Sequence, residues 1–266
     1  MELIRSIRPS QRLAALLVLL TAAALLLMQG PLAQFDNYHA FADRRTWGGM
    51  PNAADLWSNL AFLVVGVWGW FRLRALRTDS RLTDAWPGYA LFLGSLMLTA
   101  FGSSYYHWAP DDARLVWDRL PIALACAGLL AAAFAEVERR SALVPCLLLG
   151  AFAVAGVVWW IYTADLRLYL LLQGMPLILI PIWQHVRKAP RTERLSFASA
   201  IGVYALARVA EVYDAAIFSR VDWIGGHTLK HLLAAGACAL IVYAVVQRVR
   251  VERKDDGLSA LGSRKE

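Results

Sequence analysis

Residues 102–121 read GSSYYHWAPDDARLVWDRLP. One apolar run ends at His107 and the next opens at Val116, with a short Pro-marked connection and an acidic cluster between them. Runs of about 20 apolar residues are long enough, as helices, to cross a bilayer's hydrocarbon core, so the stretch reads as the turn between two membrane helices. On a helix Ser103 and His107, four residues apart, share one face about a turn apart. The spacing recurs in GGHTLKHLLAAG, residues 225–236, where His227 and His231 open another apolar run. Three imidazoles thus fall on two hydrophobic helices. Three neutral histidines with an open fourth position are a common ligand set for catalytic zinc, and ionisable groups at membrane depth are functional candidates.

The composition agrees. Of 266 residues 59% are hydrophobic, and mean hydropathy is +0.47; soluble domains run at roughly 45–50% apolar. The chain reads as an integral membrane protein. Its net charge of +7 does not indicate a nucleic-acid partner, because the basic residues are scattered in short loops and form no continuous face. Cys126, Cys146 and Cys238 all lie in apolar runs without CxxC spacing, which argues against disulfides and thiolate metal sites. They read as packing residues.

In chain order, a basic start at Arg5, Arg8 and Arg12 precedes LAALLVLLTAAALLLM. A cleaved signal peptide has a similar look, but the run is long for one and MQGPLAQ is a poor cleavage site, so a retained anchor over residues 1–33 is expected. Residues 34–55 are polar, hold Trp47, Gly48, Gly49 and Pro51, and read as an extracytoplasmic loop, with His39 an isolated surface residue. Further spans are expected at 56–73, 87–107, 116–135, 143–162, 168–185, 197–218 and 225–246. The expected fold is therefore all-α, a polytopic transmembrane bundle of a seven-helix core over residues 56–247 plus one N-terminal helix. Residues 248–266 read as a charged, disordered cytoplasmic tail. No pattern in the chain specifies an oligomeric state.

Lys and Arg set the orientation, since short cytoplasmic loops carry the excess. With the N-terminus inside, nineteen fall on the cytoplasmic side and six on the other, Arg208 and Lys230 inside apolar runs completing the 27. Both termini are thus expected in the cytoplasm. His107, Asp118, His227 and His231 then share the outer leaflet with Ser58, Asn59, Glu211 and Asp214. Tyr105, Tyr106, Trp108 and Trp117 read as an interfacial aromatic belt, His185 as an interfacial residue of the opposite end, and Arg208 with Glu211 as an internal i, i+3 ion pair. Ser58 and Asn59 are placed to orient a ligand histidine or to bond between helices, and Asp214 to support the site.

GSSYYH, WDRLP, the SN of Ser58 and Asn59, and HTLKH occur in the order of, and together resemble, the alkaline ceramidase family. That family belongs to a wider membrane-hydrolase superfamily with the adiponectin and progestin receptors. The resemblance covers the last seven spans. It implies one zinc-hydrolase site in which His107, His227 and His231 hold Zn2+ and Ser103 and Asp118 are catalytic, acting on a membrane lipid within the bilayer, here the amide of a ceramide-like lipid. The family's calcium-binding glutamate seven residues before the SN asparagine is replaced by Asn52, so calcium is not expected. The richness in Ala, Leu and Arg fits a bacterial member in an inner membrane. Two other readings are haem ligation by paired histidines and a receptor or transporter with a structural zinc. Axial haem ligands normally come from facing helices, whereas His227 and His231 share one.

The chemistry also stands on its residues. Asp118 has the capacity to move a proton between water and a leaving amine, and Ser103 to hydrogen-bond an oxyanion. The orientation predicts that a cysteine at Asp112 reacts with an impermeant thiol reagent in intact cells while one at Ser141 does not. The reverse pattern would invert the topology.

Overall fold

The computed structural model describes residues 9–262. They form α1 (Pro9–Met28), α2 (Ala53–Ser58), α3 (Leu60–Arg74), α4 (Trp86–Trp108), α5 (Asp112–Glu138), α6 (Leu143–Thr163), α7 (Arg167–Val186), α8 (Arg191–Val212), α9 (Asp214–Val221) and α10 (Gly226–Gly262). No strand occurs among the described residues beyond one isolated bridge, Trp47 to Met50. The chain is an all-α bundle, as expected. Helices suit a bilayer because they satisfy their own backbone polar groups.

Among the described residues six segments are long and apolar enough to cross a membrane: Ala53–Arg74, Asp112–Glu138, Leu143–Thr163, Arg167–Val186, Arg191–Val212 and Gly226–Val251. The other two expected spans, α1 and α4, are not among these six. Helix α4 has the length, but Ser95, Thr99 and Ser103, all buried, lower its hydropathy. Helix α1 covers Pro9–Met28, and Leu16–Met28 is its apolar stretch among the described residues. The basic start at Arg5 and Arg8 and the last four residues of the tail lie outside the described residues.

Three boundaries depart from expectation. The span expected at 56–73 is broken at Asn59, whose amide turns back to the Asp55 carbonyl, and α2 takes in the end of the expected loop. The span expected at 197–218 starts earlier, at Arg191, and breaks at Tyr213, leaving α9 separate. The tail expected to be disordered continues α10 to Gly262; its Arg, Lys, Glu, Leu and Ala are favourable helix formers.

Helix α4 packs along α3 and α5, and α10 along α8 and α3. The α4–α5 seam is a backbone contact. A Cβ on Gly88 would meet the backbone of Ala132, one on Gly128 the backbone of Phe92 and Gly88, and one on Gly102 the carbonyl of Trp117. Small residues permit such close approach where helices pack in a membrane. Asp111 caps α5 by accepting from Arg114 N–H at 2.7 Å, and the seam then sets the head of α5 against the histidine end of α4.

At the opposite end buried charges pair off. Glu136 accepts from the Tyr89 hydroxyl at 2.7 Å and from Arg248, and Arg187 pairs with Glu193. Such pairing offsets the desolvation of each charge. For the seam, Gly102→Ala is expected to destabilise by about 1–3 kcal/mol, the scale of overpacking. Gly236→Ala, which meets nothing within 4 Å, should be neutral or stabilising by up to about 1 kcal/mol. Thermal unfolding in detergent compares them; equal midpoints would contradict the close seam.

Candidate metal centre

His107, on the last turn of α4, and His227 and His231, on the first turns of α10, converge. Each offers one ring nitrogen, and the three nitrogens lie within 4.8 Å of one another. Ring centroids are 4.8–5.0 Å apart, and all three side chains are buried. Neither ring nitrogen of His107 has a protein partner. An imidazole buried without a hydrogen bond is costly, and a metal ion removes that cost. The group could hold a metal ion.

Ser58 fixes one ligand. Its hydroxyl donates to the Asp55 carbonyl at 2.8 Å and lies 2.7 Å from His231 Nδ1. A hydroxyl has one proton, so with that proton on Asp55 it accepts from Nδ1–H and leaves Nε2 as the lone-pair nitrogen. Asn59 has no hydrogen bond to an imidazole among the described residues; its amide donates to the Asp55 carbonyl at 2.9 Å. Asp55 accepts from the Thr228 hydroxyl at 2.5 Å and so ties α2 to α10.

Asp118 and Ser103 stand across the α4–α5 seam in electrostatic contact. Ser103 Oγ is buried without a hydrogen-bond partner, so it does not bond back to its own helix. Asp118 makes no ion pair with Arg119 among the described residues. The expected Arg208–Glu211 pair is present, and Lys230 joins it: its ammonium donates to Glu211 at 3.0 Å and lies 3.0 Å from His227 Nε2. The sequence flagged Lys230 only as a cation inside an apolar run; its place three residues after His227, one turn along the same face, was the usable signal.

The segment read as a plain loop is a roof over this end of the bundle. Phe41 packs against His107 and His227 with tilted rings, centroids 4.6 and 4.4 Å apart. Asn52, in the left-handed conformation that Asn tolerates, donates to the His107 carbonyl at 2.9 Å. Asp214 accepts from Ala42 N–H and His227 N–H, both at 2.9 Å, so it fastens the roof and caps α10 together. Arg45 binds both Asp43 oxygens and the carbonyls of Asp222 and Trp223. Burial pushes the Asp43 carboxyl up, but the hydrogen bonds from Arg45 outweigh it and leave it below the usual carboxylate range. A depressed folded pKa contributes stability that is complete above the unfolded value of about 3.9 and is lost as pH falls through the lower folded value. The clasp therefore holds at neutral pH.

Two aromatic readings change with this roof. His39 is no isolated surface residue, since Nδ1 lies 2.9 Å from the Tyr106 hydroxyl and Nε2 3.2 Å from Asp112. Tyr106 leaves the expected belt: it is 1% exposed against His107, whereas Tyr105, Trp108 and Trp117 are exposed. His185 is exposed at the opposite end, away from the centre.

Comparison with protein-family models and with curated proteins finds no match. The geometry generates its own test. Ser58→Ala removes the acceptor on His231 Nδ1 and is expected to weaken metal affinity about 10–100-fold, read by competition with a metallochromic chelator. Unchanged affinity would deny Ser58 that role.

Proposed function

We propose that the protein is a zinc-dependent intramembrane hydrolase that cleaves the amide of a ceramide-like membrane lipid to a fatty acid and a sphingoid amine. One observation carries the reading. Three buried imidazoles from two helices converge, and both ring nitrogens of His107 are unpartnered; ionisable groups within membrane helices are functional candidates. Resemblance of the motifs to the alkaline ceramidase family supports the substrate class. The charge split supports a site in the outer leaflet, and the roof favours lateral entry of a lipid over entry from water.

His107, His227 and His231 are the zinc ligands in this reading. Zinc held there would supply a water of pKa lowered toward about 7 and a Lewis acid for a carbonyl. Ser103, whose hydroxyl faces Asp118 and is not bonded to its own helix, donates to the carbonyl oxygen as negative charge develops there. Asp118 takes the proton from the attacking water. As the carbon–nitrogen bond breaks, Asp118 returns that proton to nitrogen, so that the amine leaves neutral.

Asp118→Asn is expected to keep zinc and to lose amide turnover by roughly 10²–10⁴-fold. His107→Ala, His227→Ala and His231→Ala should lose metal and activity together, by elemental analysis of the detergent-purified protein beside a lipid-amide assay. Stoichiometric zinc in all three histidine variants would remove the reading. Wild-type turnover in Asp118→Asn would discard the proton route, and cleavage of esters alone would discard the amide.

A further inference from the structure

Arg119 is the one lysine or arginine among the buried described residues, at 3% exposure. Its guanidinium lies 4.0 Å from the Trp160 ring centre, 5.2 Å from that of Tyr38 and 5.6 Å from that of Tyr169. Nη2 donates to Gln34 Oε1 at 2.6 Å. Nη1 is buried without a partner, and no carboxylate lies within ion-pair distance of Arg119 among the described residues. Burial usually demands the opposite arrangement, which Arg248 on Glu136 and Arg167 on Asp165 both follow.

The group adjoins the metal centre. Arg119 follows Asp118 in sequence, and Trp160 packs in one cluster with Phe41 and Tyr106, the two rings that lie on His107. The other charges acting on Asp118 are Lys230 and Glu211. Lys230 and Arg208 share Glu211, and Arg119 is left with no carboxylate at ion-pair distance among the described residues.

We infer that Arg119 is the head-group subsite and that the amide lipid carries an anionic head group, a phosphate or a carboxylate. The inference rests on the lipid-amide reading of the centre and narrows it. A planar guanidinium matches the oxygens of such groups, and an anion compensates its charge where a neutral hydroxyl does not. Gln34 and Tyr38 belong to the roof segment, so the head group is held under the roof while the amide lies at the histidines.

The test is binding of a short-chain fluorescent ceramide 1-phosphate and of the matching neutral ceramide to the full-length protein in phosphatidylcholine nanodiscs, as purified and after chelator treatment. Wild type is expected to bind the phosphate form about tenfold more tightly, the scale of a hydrogen bond to a charged group. Arg119→Gln is expected to abolish the preference. Arg119→Lys, which keeps the charge without the fork, should reduce it to about threefold, and it carries the test if Arg119→Gln does not fold. Equal affinity of wild type for the two probes overturns the inference, as does an undiminished preference in either variant or displacement of the lipid by inorganic phosphate. Binding is read without turnover, so a failure to cleave amides would remove the hydrolase reading and leave this result standing. Cleavage of neutral ceramide with no binding preference would do the reverse.

Discussion

The backbone contact between α4 and α5 governs the histidine end of the molecule. Gly102 lies so close to the Trp117 carbonyl that the two helices cannot slide past one another, and the same seam brings Ser103 opposite Asp118. In a bilayer no hydrophobic force pushes helices together, so approach at this distance comes from packing between small residues. One side of the centre is therefore positioned by atoms that are not side chains at all. Helix α10 supplies the other side, and α2, through Asp55 and Ser58, joins the two.

The two ends of the bundle handle buried polarity in opposite ways. Away from the histidines, Glu136, Glu193, Arg187 and Arg248 answer one another. At the histidine end, Ser103 Oγ, both nitrogens of His107, Asp55 Oδ2 and Arg119 Nη1 are without partners. Unsatisfied groups in a native interior call for an explanation; Ser95 Oγ and Glu193 Oε2 are unpartnered elsewhere, but only at the histidine end do several of them accompany a group of three imidazoles. The three cysteines, spread over the interior as free thiols, take no part in it.

Much of this was legible in the sequence where the signal is local. Apolar runs of spanning length mark six of the membrane helices, and the i, i+4 spacing of His227 and His231 puts both on one face of α10. The roof was not legible. Phe41, Arg45 and Asn52 show no periodicity, and what they do depends on partners such as His227, Trp223 and His107 that only the fold brings near. The surroundings of Arg119 were hidden for the same reason, being assembled from Gln34, Tyr38, Trp160 and Tyr169 on separate parts of the chain. The tail was misread because charge was weighed above helix propensity. The breaks at Asn59 and Tyr213 were missed because each lies inside an otherwise apolar run; beyond the second, Asp214 turns its carboxylate to Ala42 and His227.

The three histidines that could hold a metal ion are far apart in the chain, with His107 on the fourth helix and His227 and His231 on the last. Multi-helix chains are synthesised and folded from the N-terminus, so a nascent chain that has inserted α4 and α5 presents a single imidazole, too few to retain a metal. Only when α10 has entered and run back along α8 and α3 does the third nitrogen arrive. A metal ion that needs all three imidazoles would therefore be retained only by a completed, correctly inserted chain.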